Sequence, residues 1–576
     1  MSAFTTPFTE YLHTNYVPTS IDRAQIRQLL VEPEAALAKI DDDIRRLQAL
    51  VDEIRQQKAS LDETIHEHYL LLTPFRRLPD DILTEIFCWT LPDMHNALMS
   101  SSEPPLLLGR VCSRWRSLAY HTPRLWSTLH VPLPVPPSHN GLTYWMPSEA
   151  FQQLSVDFEG KFRRHCQAVV DWLNRSGSRP LSLSINPRDS VSHTHQQYFR
   201  PYLEILLAFS DRWHKLEISI PSTECSSLIA SIPASSVPKL RYLHLKFSRR
   251  SAHENVWARS GILKTPTLRV LYLSGFPFRL SGLEMNWSQV THLILSDNSN
   301  AIARQKRVSL EEAYRIFSLC KNLQHVTLDI IDTPDAVSPT DPLDLPYLES
   351  LAIIDGAHCI ATLIECFNVP SLRIISYHTN FWPSTARRSP LILLLLRTNN
   401  RVEVLTTDLQ FFMVSDIIEC MELVPSLRCL VNVRSKLGVS REQARSRSYL
   451  PFIVKLMKGI LDILLPNSYR ECLCPRLEII RLKDSLILSD QDAANFIQTR
   501  LEASKELGIA RLTEVSITFT REPLIDIEAH LQPYIQEGLK LHVAFPAARK
   551  VTVSNFNPLN GLVKRDSTSE PLLPWL

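Results

Sequence analysis

Metal-binding and catalytic side chains occur in this 576-residue chain, but not at the spacings that such chemistry requires. The run His66-Glu67-His68 places its histidines two residues apart, and on a helix such residues point in different directions. A second histidine pair lies in SHTH (192–195), and Cys472 and Cys474 have no second cysteine pair near them. Structural zinc needs paired ligands at set spacings, so we expect no metal and no other cofactor.

Glycine is scarce, with only 13 residues, whereas a typical chain carries about 7% glycine. Loops that cradle phosphates and turns that present a nucleophile need glycine at fixed offsets. The sequence contains neither GxxxxGK[ST] nor GxGxxG nor GxSxG. We therefore expect a protein that is not an enzyme.

Charge and hydrophobicity argue against two further classes of partner. The 62 basic and 60 acidic residues give a net charge of +2, so nucleic acid and anionic membranes are not expected as partners. The strongest apolar run, LILLLL (391–396), is far below the roughly 18 residues of a membrane span. Scattered cysteines and an N-terminus without a secretory pattern predict reduced thiols and a cytoplasmic and/or nuclear protein.

A heptad pattern dominates the N-terminal region. Residues 1–31 are polar and are predicted to be irregular, and a helix is expected over 32–73, beginning at Glu-Pro-Glu. Nine of eleven heptad positions are apolar; the a positions are Leu37, Ile44, Val51, Lys58, Ile65 and Leu72, and the d positions are Ile40, Leu47, Ile54, Leu61 and His68. This pattern is typical of a coiled coil, either as a homodimer through 37–72 or packed on its own chain, and Lys58 weakens an extended dimer.

Two short amphipathic helices are predicted after Pro74. In LPDDILTEIF, residues Leu78, Ile82, Leu83, Ile86 and Phe87 fall on one helical face, and Pro79 and the two aspartates suit its first turn. The segment LLLGRVCSRWRSL predicts a second helix with Leu107, Val111, Cys112 and Trp115, and a short element at Leu125-Trp126 follows. The stretch between the helices, with Met94, His95 and Ser100–Ser102, reads as a loop insertion.

Residues 74–130 resemble an F-box, because they contain its Leu-Pro, acidic pair, Ile-Leu, Ile-Phe, Val-Cys-x-x-Trp and Leu-Trp landmarks in order. A heptad helix directly before this region is similar to F-box proteins common in mushroom-forming fungi. The resemblance implies a three-helix unit that docks on a Skp-type adaptor protein and through it on a cullin-based ubiquitin ligase. The expected adaptor-binding residues are Leu78, Pro79, Ile82, Leu83, Ile86, Phe87, Leu107, Val111, Cys112 and Trp115.

These residues also carry more apolar surface than three short helices are expected to bury internally. Part of this surface must be covered by a partner or by the domain that follows in the chain. A structure of the chain alone is therefore expected to leave some of these side chains exposed.

Beyond a proline-rich linker (131–150), a pattern of (Pro)-x-Leu-x-x-Leu-x-Leu recurs through residues 151–550. Anchors from Trp213 to Leu372 lie 22 to 33 residues apart, close to the roughly 20–29 residues of leucine-rich repeats. Each copy predicts a short strand with inward leucines, and segments 310–320 and 492–504 predict return helices. An insertion (432–473), which contains a basic run, interrupts the repeats, and 551–576 form a tail.

The expected fold is therefore α/β, with a long N-terminal helix, a three-helix F-box and a degenerate leucine-rich-repeat solenoid. The expected function is the substrate-recognition subunit of an F-box ubiquitin ligase, whose repeat domain binds a target protein of unknown identity. The alternative is a non-degradative scaffold that combines the coiled coil with adaptor binding. His244, Tyr272, Thr327 and Arg481 would lie on the partner-facing side of the sheet.

Overall fold

The structure is a computed structural model. It describes residues 6–137, 148–186, 197–248, 254–276, 278–296, 308–331, 341–356, 360–379, 388–433, 459, 461–466, 472–485, 489–519, 522, 525–545, 557–559 and 562. The chain divides into two compact units, Met1–Glu85 and Ile86–Leu576, and the division falls within one helix.

The described part of the chain contains fourteen α-helices. They are α1 (Ser20–Leu71), α2 (Asp80–Trp89), α3 (Ser113–Tyr120), α4 (Ser148–Arg175), α5 (Phe199–Leu207), α6 (Thr223–Ala230), α7 (Glu254–Trp257), α8 (Leu310–Leu319), α9 (Ile360–Glu365), α10 (Pro390–Leu395), α11 (Val414–Glu422), α12 (Asp490–Glu506), α13 (Ile527–His530) and α14 (Gln532–Gln536).

The same ranges contain seventeen β-strands. They are β1 (Thr128–Pro132), β2 (Leu181–Asn186), β3 (Trp213–Ile220), β4 (Tyr242–Phe247), β5 (Val270–Ser274), β6 (His292–Ser296), β7 (Val308–Ser309), β8 (His325–Ile331), β9 (Leu343–Asp344), β10 (Ser350–Gly356), β11 (Phe367–Asn368), β12 (Ile374–Thr379), β13 (Val404–Thr407), β14 (Cys429–Asn432), β15 (Ile479–Ser485), β16 (Glu514–Phe519) and β17 (Lys540–Ala544).

In the first unit, α1 is longer than the sequence predicted. It begins at Ser20, so residues 20–31, predicted to be irregular, are helical. Thr19 supplies the start signal, because its side chain accepts from the Asp22 backbone N–H while the Asp22 carboxylate accepts from the Thr19 N–H. Pro33, predicted to mark the first turn, instead lies inside the helix. The capping box therefore decides the helix start.

The second unit is built around a parallel sheet in which fourteen strands follow one another in chain order. Strand β7 pairs with β8 beside this series, and β9 and β11 form a separate two-stranded sheet. The expected α/β class is thus confirmed. One row of side chains runs through thirteen strands in register and is entirely apolar and buried. It consists of Leu129, Leu183, Leu216, Leu243, Leu271, Leu293, Val326, Leu351, Ile375, Leu405, Leu430, Ile480 and Val515.

The leucine pattern correctly located strands β3 to β6, β8, β10 and β12 to β16, together with two of the helices between them. Anchors such as Leu240, Leu268 and Leu372 are completely buried directly before their strands. The predicted return helices correspond to α8 and α12. In α8 the buried residues Leu310, Ala313, Ile316 and Phe317 recur at helical spacing, so one face of this helix is buried.

The predicted second helix of the F-box-like region is broken. A 3₁₀ turn covers Leu108–Arg110, and α3 begins only at Ser113. Cys112 has extended backbone angles and acts as the N-cap, since its Sγ accepts from the Trp115 backbone N–H at 3.4 Å. A further 3₁₀ turn at Pro123–Trp126 replaces the third element. Two α-helices and short turns therefore stand where three helices were expected.

Three boundaries also differ from the sequence prediction. Strand β1 joins the sheet across the predicted border at residue 130, and α4 begins inside the predicted linker at Ser148. Part of the presumed loop insertion between the two predicted helices belongs to the core. Ala97 and Leu98 are buried, and the Ala97 carbonyl accepts from the His130 N–H at 2.9 Å. Strand β14 still includes Asn432, where the insertion was expected to begin.

Candidate partner-binding site

The expected adaptor-binding residues divide between the two units and differ strongly in exposure. In the first unit, the Leu83 N–H bonds to the Pro79 carbonyl at 3.0 Å and so extends the first turn of α2. Leu83 is completely buried, Leu78 is half-buried and Pro79 is exposed. Ile82, one residue before Leu83, has 47% of its surface exposed. Ile82 therefore offers apolar surface that Leu83 does not.

The same contrast occurs among the expected residues of the second unit. Phe87 is completely buried and packs on Trp115 with ring centroids 4.8 Å apart. Ile86 and Trp115 are half-buried, and Cys112 is exposed. Leu107 and Val111 are exposed at 39% and 57%. The expectation that some of these side chains stay exposed is confirmed.

Two residues of the predicted surface are completely buried. Leu83 and Phe87 have no exposed surface in this conformation. The members that remain exposed are Pro79, Ile82, Leu107, Val111 and Cys112. Leu78, Ile86 and Trp115 are half-buried.

Aromatic contacts fix α3 to the first strand and to α4. The Trp126 indole N–H donates to the Ala119 carbonyl at 2.8 Å, and the Trp126 ring meets Trp172 edge-on at 4.8 Å. The Trp172 indole in turn donates to the Thr128 carbonyl at 3.2 Å. The Arg175 guanidinium lies 5.0 Å from the Trp126 ring. The exposed residues before α3 are therefore presented by a segment that is continuous with the sheet unit.

The sheet face opposite the buried apolar row is largely polar. His244 and Tyr272, predicted to share this face, stack with centroids 3.8 Å apart on neighbouring strands. Thr327 is half-buried, and Arg481 forms an ion pair of 2.8 Å with Glu514. Alternation along each strand places these four residues on one side of the sheet, as the repeat pattern predicted.

Histidines in the middle of this face are neutral at pH 7. His292 and His325 stack with centroids 4.3 Å apart. Burial, with a smaller contribution from His325, lowers the pKa of His292 to about 4. Burial alone lowers the pKa of His378 to about 4. The central part of the face therefore offers hydrogen-bonding groups without histidine charge.

Sequence reasoning missed a polar cavity of about 260 Å³ beside the first three strands. Its lining includes His130, Ser184, Lys215 and Glu217. The His130 ring bonds to the Ser184 hydroxyl at 2.9 Å, and the Lys215 ammonium lies 3.2 Å from Glu217. The strands that carry His130 and Ser184 contain Thr-Leu-His-Val and Leu-Ser-Leu-Ser-Ile, so the alternation of aliphatic with polar residues was the available signal.

Within the described ranges, no three His, Cys, Asp or Glu side chains are arranged to hold a metal ion. No helix in the described part of the chain is both long and apolar enough to cross a membrane.

No family model matches the chain, and no curated protein matches it. Among solved structures, it is similar to the "Crystal structure of Rad7 and Elc1 complex in yeast" at 14% sequence identity, over 71% of this chain and 98% of that chain. The TM-score of this match is 0.30.

Proposed function

We propose that this protein is the substrate-recognition subunit of a cullin-based F-box ubiquitin ligase. The observation that carries the proposal is the ordered set of F-box landmarks in residues 74–130, several of whose apolar members remain exposed. Exposed branched side chains such as Ile82 and Val111 are suited to an apolar partner surface. The partner is a Skp-type adaptor, and a cullin associates through that adaptor.

The sheet unit then serves to hold a target protein. We propose that it is a degenerate leucine-rich-repeat solenoid, which is supported by successive parallel strands, one buried apolar row and buried leucine anchors before the strands. In such a complex this chain needs no active site of its own. It acts by raising the effective concentration of the target near the transferring enzyme.

The adaptor proposal is tested with the full chain and a purified Skp-type adaptor. We expect Ile82→Asp and Val111→Asp each to weaken adaptor binding by more than about tenfold, because each puts a carboxylate into a desolvated apolar contact. Binding is measured by biolayer interferometry. Both residues are exposed in the free chain, so the substitutions are expected to leave its folding intact.

Leu507→Asp is the matched control, because Leu507 is 58% exposed but lies at the end of α12, outside the F-box-like region. This variant is expected to bind the adaptor like the unsubstituted chain. Absence of adaptor binding by the unsubstituted chain, or equal binding by all three variants, would contradict the proposal.

A non-degradative scaffold is the second candidate, and the exposed apolar stripe of α1 favours it. The heptad side chains Leu37, Ile44 and Ile54 are all exposed, at 64%, 46% and 55%. A scaffold would dimerise through this helix and bind the adaptor without ubiquitin transfer. Reconstitution with adaptor, cullin and ubiquitin-charging enzymes distinguishes the two functions, because only a substrate receptor supports ubiquitination of a captured protein.

A further inference from the structure

A groove of about 460 Å³ lies at the edge of the sheet where strands β12 to β15 begin. Its lining contains four arginines and two glutamates, with Ser426 and Ala510 between them. The charged residues are Arg373, Arg401, Glu403, Arg428, Arg476 and Glu478. At pH 7 these six side chains carry a net charge of +2.

The groove is formed by a charge pattern that repeats every second strand. The four segments entering the strands read Ser-Leu-Arg (371–373), Arg-Val-Glu (401–403), Ser-Leu-Arg (426–428) and Arg-Leu-Glu (476–478). Their central apolar residues are buried anchors, so the residues on either side are held at the rim. Backbone bonds keep the segments in register, since the Arg428 N–H donates to the Glu403 carbonyl at 2.8 Å and the Glu478 N–H to the Arg428 carbonyl at 2.9 Å.

Two of the arginines are neutralised within the groove. The Arg373 guanidinium lies 3.3 Å from the Glu403 carboxylate. Arg428 makes a two-pronged contact with Glu478, at 3.3 Å through Nε and 2.8 Å through an Nη atom. These pairs use both glutamates of the groove and hold their guanidinium groups in place.

Arg401 and Arg476 carry the remaining charge. Both are exposed, and neither forms an ion pair with any residue that the structure describes. Each lies three residues before the first residue of its strand, β13 or β15, with one strand between them. Two strand spacings of about 4.8 Å place their backbones about 10 Å apart.

We propose that this groove binds an acidic, extended polypeptide segment, with one carboxylate on Arg401 and another on Arg476. Acidic side chains two residues apart in an extended chain lie on one side and about 7 Å apart, a separation that the long arginine side chains can span. A carboxylate matches the planar guanidinium and accepts two hydrogen bonds from it. The inference depends on the proposed function only in assigning the segment to the target protein.

The test uses the full chain without adaptor and a fluorescein-labelled ten-residue Gly/Ser peptide with a central Glu-Ser-Glu. Fluorescence polarisation is expected to show binding of this peptide at least about tenfold tighter than binding of the Gln-Ser-Gln peptide. Arg401→Gln and Arg476→Gln are each expected to weaken binding about threefold, and their combination about tenfold. Binding is also expected to weaken with salt, because the pairs are exposed.

Arg241→Gln is the matched control, since Arg241 is an exposed arginine at the entry to β4 on the same sheet edge but outside the groove. This variant has the same change in net charge and is expected to bind the peptide unchanged. Equal affinity for the two peptides, or full binding by the double variant, overturns the proposal. Displacement by phosphate beyond that by sodium chloride of equal ionic strength overturns it in favour of a phosphoryl-group site.

These readouts do not involve the adaptor. Loss of adaptor binding with intact peptide binding would refute the ligase role alone. The converse result would refute the acidic-segment site alone.

Discussion

At the residue scale, the stacked pair His292 and His325 makes the stability of the sheet unit depend on pH. Burial lowers the pKa of His292 to about 4, whereas an unfolded histidine has a pKa of about 6.5. Between these values the unfolded chain binds more protons than the folded chain. The free energy of unfolding is therefore not reduced by His292 above pH ~6.5, and protonation of the unfolded chain reduces it as the pH falls towards ~4. Burial also lowers the pKa of His325, with the same sign.

We expect the thermal midpoint to fall less between pH 7.5 and pH 5 for His292→Gln than for the unsubstituted chain, because glutamine does not titrate. Differential scanning fluorimetry at both pH values measures this difference. His542→Gln, which removes an exposed histidine from β17, is the control and should keep the full pH dependence. A fall in His292→Gln as large as in the unsubstituted chain would contradict the prediction.

At the element scale, the exposed stripe of α1 predicts association with a second copy of the chain. Eight apolar heptad residues are between 45% and 64% exposed, namely Leu37, Ile40, Ile44, Leu47, Val51, Ile54, Leu61 and Ile65. Side chains of this kind at 3-4 spacing are stabilised when they pack into a facing helix.

We expect the full chain to form a concentration-dependent dimer by size exclusion with light scattering. Ile54→Lys is expected to shift it to monomer, and Lys58→Leu is expected to strengthen the dimer because it removes a charge from an a position. Gln56→Lys, on the opposite side of the heptad, is the control and should not change the molecular mass. If every variant and the unsubstituted chain were monomeric at every concentration, the prediction of a coiled-coil dimer would be contradicted.

At the scale of the whole molecule, residues 86–130 of the F-box-like region do not form an independent domain. Trp126 packs on Trp172, and β1 pairs with β2 along its length. Residues 86–130 therefore rely on contacts with residues beyond 150. A short helical segment without those contacts buries too little apolar surface to compensate for the entropy of folding.

We predict that a fragment containing residues 74–130 alone is largely unfolded, whereas the full chain is folded. Circular dichroism and limited proteolysis measure this. Trp172→Ala in the full chain is expected to cost about 3–5 kcal/mol of stability, because it removes a large buried ring that supports Trp126. A compact, protease-resistant fragment would show that the region folds without the sheet.

Local sequence patterns determined much of this structure. The amphipathic pattern after Pro79 correctly predicted α2, and the leucine spacing located strands β3 to β6 because each anchor and its strand are close together in sequence. The Thr19–Asp22 capping box was also present as a local signal, although the proline at position 33 obscured it. Strands β1, β2 and β17 were missed because they lie outside the regular series of prolines and anchors.

The sequence by itself determined the α/β class, the heptad helix and which residues are apolar enough to form an interface. Only the tertiary structure decided how those apolar residues divide, with Leu83 and Phe87 buried and Ile82 and Val111 exposed. Likewise, only strand register pairs Arg428 with Glu478, fifty residues later, and leaves Arg476 without a carboxylate partner among the described residues. Periodicity reports the local preferences of a segment, whereas burial and charge pairing depend on segments that meet only in the folded chain.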